Sequence, residues 1–122
     1  MATWVIINNG NNEMQVGKDD LFFDLDSTGL ADTVHAVHWD GSTGEVENKD
    51  ASTGDITGNT TISSFSAYSF AETAWNTEYT TQLNALKQAA YDFAYDQAIA
   101  DGDSDADAIA AGNAARDAVT SL

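Results

Sequence analysis

The first half of the chain alternates between short apolar runs and clusters of turn-forming residues. The runs are rich in β-branched and aromatic side chains and have the length of strands. They cover residues 4–7, 13–16, 21–25, 33–39 and 45–48. The Asn9-Gly10 pair favours a turn with positive φ, and the segment from Asp40 to Gly44 closes a hairpin between the last two runs. This pattern predicts a small antiparallel β-sheet or sandwich in the N-terminal half.

The fourth predicted strand has no purely polar face. A period of two places Val34, Ala36 and His38 on one face and His35, Val37 and Trp39 on the other. We therefore expect one face to be covered by the core of the sheet, and the other by a helix or a neighbouring subunit. Two histidines three residues apart in a strand lie on opposite faces, so we expect structural or interfacial roles for both and no shared metal ion.

After about residue 67 alanine dominates and the apolar spacing becomes helical. Apolar side chains spaced four, three, four and three residues apart form what we call the seam: Tyr79, Leu83, Leu86, Ala90 and Phe93. Ser69 and Glu72 fit a capping box at the start of a long helix. Threonines in its first turns lower helix propensity and favour a start nearer Trp75 or Tyr79. We expect the seam to pack against the sheet or a sister helix.

The long helix is predicted to end near Gly102, because glycine tolerates the left-handed conformation that commonly ends helices. Ser104 with Asp107 then caps a shorter helix that runs to about Thr120. Its apolar side chains are mostly small: Ala106, Ile109, Ala110, Ala114 and Val119. Such a helix is marginal alone. We expect it to pack back on Tyr91, Phe93 and Tyr95 in a helical hairpin, or against a partner.

These elements predict an α+β protein in two parts. Residues 1–66 hold the antiparallel β domain and end in a Ser/Thr/Gly-rich linker from residue 51 onward. Residues 67–122 form the helical hairpin, which packs on the β part or on a partner.

The charge balance narrows the range of partners. Four Lys and Arg residues against twenty Asp and Glu residues give a formal net charge of −16. We expect no nucleic-acid binding, because no basic stretch is available to neutralise phosphates. We also expect no membrane association, since anionic leaflets repel this charge and no apolar run approaches the roughly 18–20 residues that span a bilayer. Residues 1–10 lack the basic start of a signal peptide, which favours synthesis in the cytoplasm.

An alternating run of carboxylates lies between the two predicted helices: Asp101, Asp103, Asp105 and Asp107. Such a run can gather around calcium, but the match to an EF-hand fails. The sixth position is Ala106 instead of Gly, and the twelfth is Gly112 instead of Glu. Negative charge is also favoured at a helix N-terminus by the macrodipole. We expect capping and no cofactor, with a weak calcium site as the alternative.

Motifs of catalysis do not occur in the sequence. There is no Gly-x-Ser-x-Gly elbow, no Gly-rich phosphate loop and no cysteine. Paired carboxylates are common at this composition and do not indicate a glycosidase. We therefore expect a non-enzymatic protein.

The aromatic residues suit a core or an interface. We expect core positions for Phe22, Phe23, Trp39 and Phe93. Tyr91 and Tyr95, four residues apart on one helix, fit a second contact surface. Trp75 and Val37 are further core or interface candidates. A large aromatic stock can also build a carbohydrate-binding platform.

The sequence of residues 34–47 is Val-His-Ala-Val-His-Trp-Asp-Gly-Ser-Thr-Gly-Glu-Val-Glu. This segment resembles a motif of small tail-region proteins of bacteriophages, including marine phages. In this motif an alternating strand ends in Trp, a Gly-containing turn follows, and Gly-Glu-(Ile or Val)-Glu begins the returning strand. The resemblance implies a structural component of a virion, in the tail or attached to it as a fibre-associated or adaptor piece. It brings no catalytic residue with it.

A protein of this kind is expected to form a homo-oligomer and to contact other virion proteins. In this interpretation Val37 and Trp39 anchor the sheet, and the seam packs against the sheet or a sister helix. The alternatives are a capsid decoration protein, or a receptor- or carbohydrate-binding module with a weak calcium site.

Overall fold

The computed structural model describes residues 2–122 and has an α+β architecture, as predicted. Within this range lie six strands, one 3₁₀ turn and two α-helices. The strands are β1 (Trp4–Gly10), β2 (Glu13–Lys18), β3 (Leu21–Asp26), β4 (Val34–Trp39), β5 (Gly44–Lys49) and β6 (Ile56–Ile62). The 3₁₀ turn is Ser66–Tyr68, and the helices are α1 (Ser69–Ala100) and α2 (Asp105–Ala118).

The six strands form a single sheet in the order β3-β2-β1-β4-β5-β6, with every neighbouring pair antiparallel. All five predicted strands are present. All six described strands belong to this one sheet, so it is a single layer and not a sandwich.

β6 lies in the segment that was predicted to be a linker, so that prediction is wrong there. Its sequence, Ile-Thr-Gly-Asn-Thr-Thr-Ile, has no apolar alternation, and almost all of the strand is exposed. The strand forms because β5 offers an edge to pair with. The Asn48 side chain reinforces the pairing by donating hydrogen bonds to Gly58 O at 3.1 Å and Thr60 Oγ1 at 3.0 Å.

The first hairpin turn is shifted from its predicted position. Asn11 and Asn12, with φ of 54° and 62°, are the two residues between β1 and β2. Positive φ at both central residues is what a type I′ turn requires, and asparagine tolerates it. Gly10 also has positive φ, at 72°, but it belongs to β1 beside an irregularity in the strand pairing. The hairpin between β4 and β5 forms as predicted.

An aromatic cluster covers one face of the sheet. Phe65 stacks between Trp4 and Trp39, with ring centroids 5.9 and 5.8 Å away. Trp75 meets Trp4 edge-on at 5.7 Å and Phe23 at 5.4 Å, and its Nε1 donates a hydrogen bond to Leu21 O at 2.9 Å. The same face carries the largest fully buried side chains of the sheet: Ile6, Met14, Val16 and Val37. Both offset and edge-on ring pairs add to the stability that burial provides.

The chain forms two compact units. The predicted boundary lies between residues 66 and 67, whereas the observed boundary lies between residues 76 and 77. One unit ends at Asn76 and the other covers Thr77–Leu122. We call them the sheet unit and the helical unit. The first two turns of α1 belong to the sheet unit because Ala71 and Trp75 are buried there.

The ends of the helices show which capping predictions hold. α1 starts at Ser69 despite its threonines, but Ser69 is already helical and continues the 3₁₀ turn, so it does not have the extended conformation of an N-cap. At the other end Gly102, with φ of 88°, forms a complete Schellman motif: its N–H bonds Ile99 O, and Asp103 N–H bonds Ala98 O. This end is the one predicted.

We predict that Phe65→Ala lowers the free energy of unfolding by about 3–5 kcal/mol, because it removes a buried ring from between two indoles. The measurement is urea unfolding followed by tryptophan fluorescence. The matched control is Ile109→Ala, since Ile109 is 45% exposed and its removal is expected to change stability by less than about 0.5 kcal/mol. Equal losses for the two variants would contradict the central place of Phe65.

Candidate functional site

The second face of the sheet, which we call the open face, carries mostly half-buried and exposed side chains, although Gly17 and Ala36 on it are buried. Strand register aligns one row across all six strands: Phe22, Gly17, Val5, His38, Glu45 and Thr61. A second row contains half-buried Ile7 next to Ala36. The open face therefore has an apolar centre with polar strands beside it.

Phe22 lies on the open face and not in the core, so its predicted core position is wrong. The side chain is 41% exposed. Its ring lies over Gly17, where an added Cβ would be 2.5 Å from the nearest ring carbon. The glycine is required for this close approach, and the ring in turn shields the bare backbone of β2.

Both histidines lie on the open face, contrary to the prediction of opposite faces. The pairing of β4 with β5 shifts register between the first and third residues of β4. This β-bulge interrupts the period-two alternation at His35. His35 Nε2 consequently lies 3.4 Å from Glu47 Oε1. Glu45, two residues from Glu47 on the same strand, is the register partner of His38.

A shallow depression of about 450 Å³ lies where β1, β4 and β5 meet the β4–β5 turn. Its lining includes His38, half-buried Trp39, Asp40, Glu45 and Thr61. The carboxylates and the hydroxyl can accept hydrogen bonds, and the indole provides apolar area. Since the charged groups include two carboxylates, this lining suits a neutral polar ligand better than an anion.

Asp40 organises the turn beside this depression. Its Oδ1 accepts hydrogen bonds from Ser42 N at 2.9 Å and Thr43 N at 2.8 Å. These backbone donors, with Thr43 first, hold the pKa of Asp40 below its usual value of 3.8 because they stabilise the carboxylate. The turn predicted at residues 40–44 is therefore fixed by one ionised side chain.

In the helical unit α2 packs back on α1 as an antiparallel hairpin. An added Cβ on Gly112 would lie 2.6 Å from the Tyr91 ring, and Leu122 N donates a hydrogen bond to the Tyr79 hydroxyl at 3.3 Å. The buried residues of α2 are Ala108 and Gly112. The predicted contact residues of α2 differ from these, and one of them, Ile109, is exposed.

The seam is only half covered. Tyr79, Leu83 and Ala90 are half-buried, whereas Leu86 is 45% and Phe93 is 71% exposed. The predicted core position of Phe93 is therefore wrong. Leu86 and Phe93 are seven residues apart and so lie on one side of the helix.

The remaining core or interface candidates lie either in the sheet unit or between the two helices. Val37 and Trp75 are buried in the sheet unit, and Trp39 is half-buried. Tyr91 and Tyr95 stack on one another with centroids 6.0 Å apart. Because Tyr91 packs against Gly112, these tyrosines belong to the contact between α1 and α2.

The four aspartates at the α1–α2 connection do not gather. Asp105 and Asp107 lie in the first turn of α2, and the Ser104 hydroxyl accepts a hydrogen bond from Asp107 N at 3.2 Å. Asp101 and Asp103 belong to the connection before it. Across residues 2–122 no three His, Cys, Asp or Glu side chains are grouped so that they could hold a metal ion.

Three features of these surfaces were not predicted from the sequence. No feature of the amino-acid sequence around His35 predicts the bulge. Gly112 packs against the Tyr91 ring of the other helix. In the sequence, only the small size of this glycine within an alanine-rich helix indicates a close contact. The pairing of Phe22 with Gly17 follows from strand register, which the two-residue turn between β2 and β3 could have suggested.

Among the described residues, no helix combines the length and the apolar character needed to cross a membrane. Comparisons with known protein families, with curated proteins and with solved structures find no match to this chain.

We predict that Asp40→Ala destabilises the protein at neutral pH and that this loss shrinks in acid. The pKa of Asp40 is lower in the folded chain than its usual value, so the carboxylate stabilises the fold above that value. This contribution disappears as the pH falls through the folded pKa. The measurement is the difference in urea midpoint between wild type and variant from pH 7 to pH 2.5.

Asp40→Asn is the matched control for the turn, because the amide keeps an acceptor for Ser42 and Thr43 but carries no charge. It should lose less stability than Asp40→Ala. A difference between wild type and Asp40→Ala that stays constant across the pH range would contradict the role of the ionised carboxylate.

We also predict that exchanging calcium for EDTA leaves the thermal midpoint unchanged, because the described aspartates are arranged as helix-terminal residues. The measurement is thermal unfolding followed by circular dichroism in 2 mM of either reagent, a concentration at the roughly millimolar level of weak calcium sites. A midpoint that rises in calcium, and does not rise in Asp103→Asn, would assign the aspartates to a metal site.

Proposed function

We propose that the protein is a non-enzymatic structural component of a bacteriophage virion, in the tail region, where it assembles with copies of itself and with other virion proteins. The observation that carries the proposal is the exposed side of the seam, formed by Leu86 and Phe93. A capsid decoration protein would use the same kind of surface and is the alternative location.

The energetic argument concerns the exposed apolar area of α1. A Phe side chain that is 71% exposed and a Leu that is 45% exposed lie on one side of α1. Burying a large apolar side chain gains about 1.5–3 kcal/mol relative to leaving it exposed. Because both residues are already partly buried, a partner that covers them gains about 2–3 kcal/mol, which suits a contact surface.

The hairpin of β4 and β5 provides the second support. Residues 34–47, which resemble phage tail-region proteins, include most of this hairpin, the Asp40 turn and one wall of the depression. The residues that match the motif thus lie together on two neighbouring strands, between β1 and the edge strand β6. The proposal assigns them to contacts within the virion.

The depression beside Trp39 favours a second candidate function, the binding of a neutral saccharide as a receptor-binding module. An indole with neighbouring carboxylates and a hydroxyl is suited to sugar hydroxyls and to the apolar face of a sugar ring. Glycan-array binding by the wild type that is lost in Glu45→Gln would favour this candidate over the structural role.

We predict that Leu86→Asp combined with Phe93→Asp lowers the solution mass of the protein without unfolding it. Charged side chains on the exposed side of the seam oppose its burial in a contact, while the fold loses little because both positions are exposed. The mass is measured by size-exclusion chromatography with light scattering, and helix content by circular dichroism.

The matched control is Ile99→Asp, since Ile99 is 40% exposed on the same helix but faces away from the seam. It should keep the mass of the wild type. A wild type with the mass of one chain, or a double variant with the mass of the wild type, would contradict assembly through the seam.

A further inference from the structure

The depression of about 450 Å³ beside the β4–β5 turn is lined by residues from four neighbouring strands. Val5, His38, Glu45 and Thr61 are successive partners in one row of the strand register. Opposite residues of antiparallel strands have Cα atoms about 4.5–5.5 Å apart. Glu45 therefore lies between His38 and Thr61, and Asp40 lines the same depression.

The lining carries a negative charge that no lysine or arginine balances. Two of its residues are acidic, and among the described residues that line it none is Lys or Arg. The sheet unit contains two lysines and no arginine. Lys18 holds its ammonium over the Trp4 and Trp75 rings, 5.7 and 5.3 Å from their centroids, and Lys49 lines a different depression. Both lysines are therefore placed elsewhere, and the two carboxylates of the lining are left to a cation from outside the chain.

Glu45 is the unengaged acceptor of the depression. Its side chain is exposed and makes no hydrogen bond or ion pair with the described residues. Asp40, in contrast, accepts hydrogen bonds at Oδ1 from Ser42 N and Thr43 N, which hold its carboxylate in place. The Thr61 hydroxyl is a further acceptor. The lining thus presents one fixed carboxylate, one unengaged carboxylate and a hydroxyl.

These acceptors match an organic ammonium group. A primary ammonium has one positive charge and three N–H donors, so it can pair with both carboxylates and the hydroxyl at once. A neutral ligand leaves the two carboxylate charges unbalanced. A metal ion is not favoured either, because residues 2–122 hold no group of three His, Cys, Asp or Glu side chains placed to bind one. Val5 supplies apolar contact for the carbon chain that carries the ammonium.

We propose that the depression beside Asp40 and Glu45 is a binding site for an organic ammonium group, carried by a small amine or by a lysine side chain of another protein. The inference goes beyond the proposed function, because it gives the sheet unit a ligand of its own. It does not depend on the seam, which lies in the helical unit.

Titration of the ¹⁵N-labelled protein with n-butylammonium chloride, followed by amide chemical shifts, tests the site. Sodium chloride at equal ionic strength is the reference, and 1-butanol is the neutral analogue. We expect saturable shifts confined to residues 38–45 and Thr61, with a dissociation constant of roughly 1–10 mM, because a small ligand in an open site binds weakly. Shifts that do not saturate, or equal shifts with 1-butanol, overturn the proposal.

Glu45→Gln removes the unengaged carboxylate and should weaken n-butylammonium binding by about fivefold, the upper effect of an exposed ion pair. The matched control is Glu13→Gln, which removes the same charge from an exposed position. Glu13 is the register partner of Gly10, and Gly10 is roughly 17 Å along β1 from Val5 at about 3.4 Å per residue. This separation exceeds the screening length of about 8 Å, so the control should bind as the wild type does. Equal losses for the two variants would show general attraction to an acidic protein and overturn the site.

A second probe distinguishes the two sources of the ammonium group. N-acetyl-lysine methylamide presents the lysine side chain with peptide groups on both sides. Binding of this probe at the same residues supports the site and assigns it to a lysine of another protein. Binding of n-butylammonium alone supports the site and assigns it to a small amine.

A neutral sugar separates this inference from the functions proposed above. Methyl glucoside that shifts residues 38–45 while n-butylammonium does not would overturn the ammonium site and favour the saccharide-binding candidate. The structural role is tested by the solution mass of the Leu86 and Phe93 double variant. A mass that depends on these two residues, together with no response to n-butylammonium, leaves the seam contact standing and overturns the ammonium site.

Discussion

The stacking of Phe65 between Trp4 and Trp39 determines how the chain leaves the sheet. Phe65 follows β6 closely and precedes the 3₁₀ turn that leads into α1. Ten residues later Trp75 returns to Trp4 and Phe23. Two aromatic residues, Phe65 and Trp75, therefore fix both ends of the connecting segment on the sheet. With Ser69 already helical, side-chain packing and not a capping box sets the entry into α1.

Because the aromatic cluster covers one face of the sheet, the other face differs from it in residue types. The buried side chains of the strands and the aromatic cluster supply the core on the covered face. The open face is left with small apolar residues, a ring lying over a glycine, and one His–Glu contact. That contact joins side chains that are both more than a third exposed, so it contributes at most about 1 kcal/mol. The residue types of the open face are therefore set by surface chemistry more than by packing.

The sequence predicted the elements that carry their own signal. Alternating apolar residues located five strands, and Gly102 located the end of α1, because these depend on local periodicity and backbone conformation. β6 was missed because it depends on pairing with β5 and on Asn48, which are tertiary contacts. For the seam, too, the sequence predicted the local pattern but not the tertiary contact. Periodicity identified residues that share one side of α1, but the position of α2 is set by the fit of Tyr91 against Gly112, which left Leu86 and Phe93 exposed.

The distribution of charge constrains where two copies of this chain can touch. At physiological ionic strength charges act over about 8 Å, so the acidic surface opposes contact wherever carboxylates of two copies come within that distance. Twenty acidic residues are spread along the chain, but none lies in β6 or in the seam. An apolar contact at the seam is therefore opposed less by this charge than a contact between two acidic surfaces. The net charge therefore limits the surfaces at which two copies can approach closely to those without carboxylates.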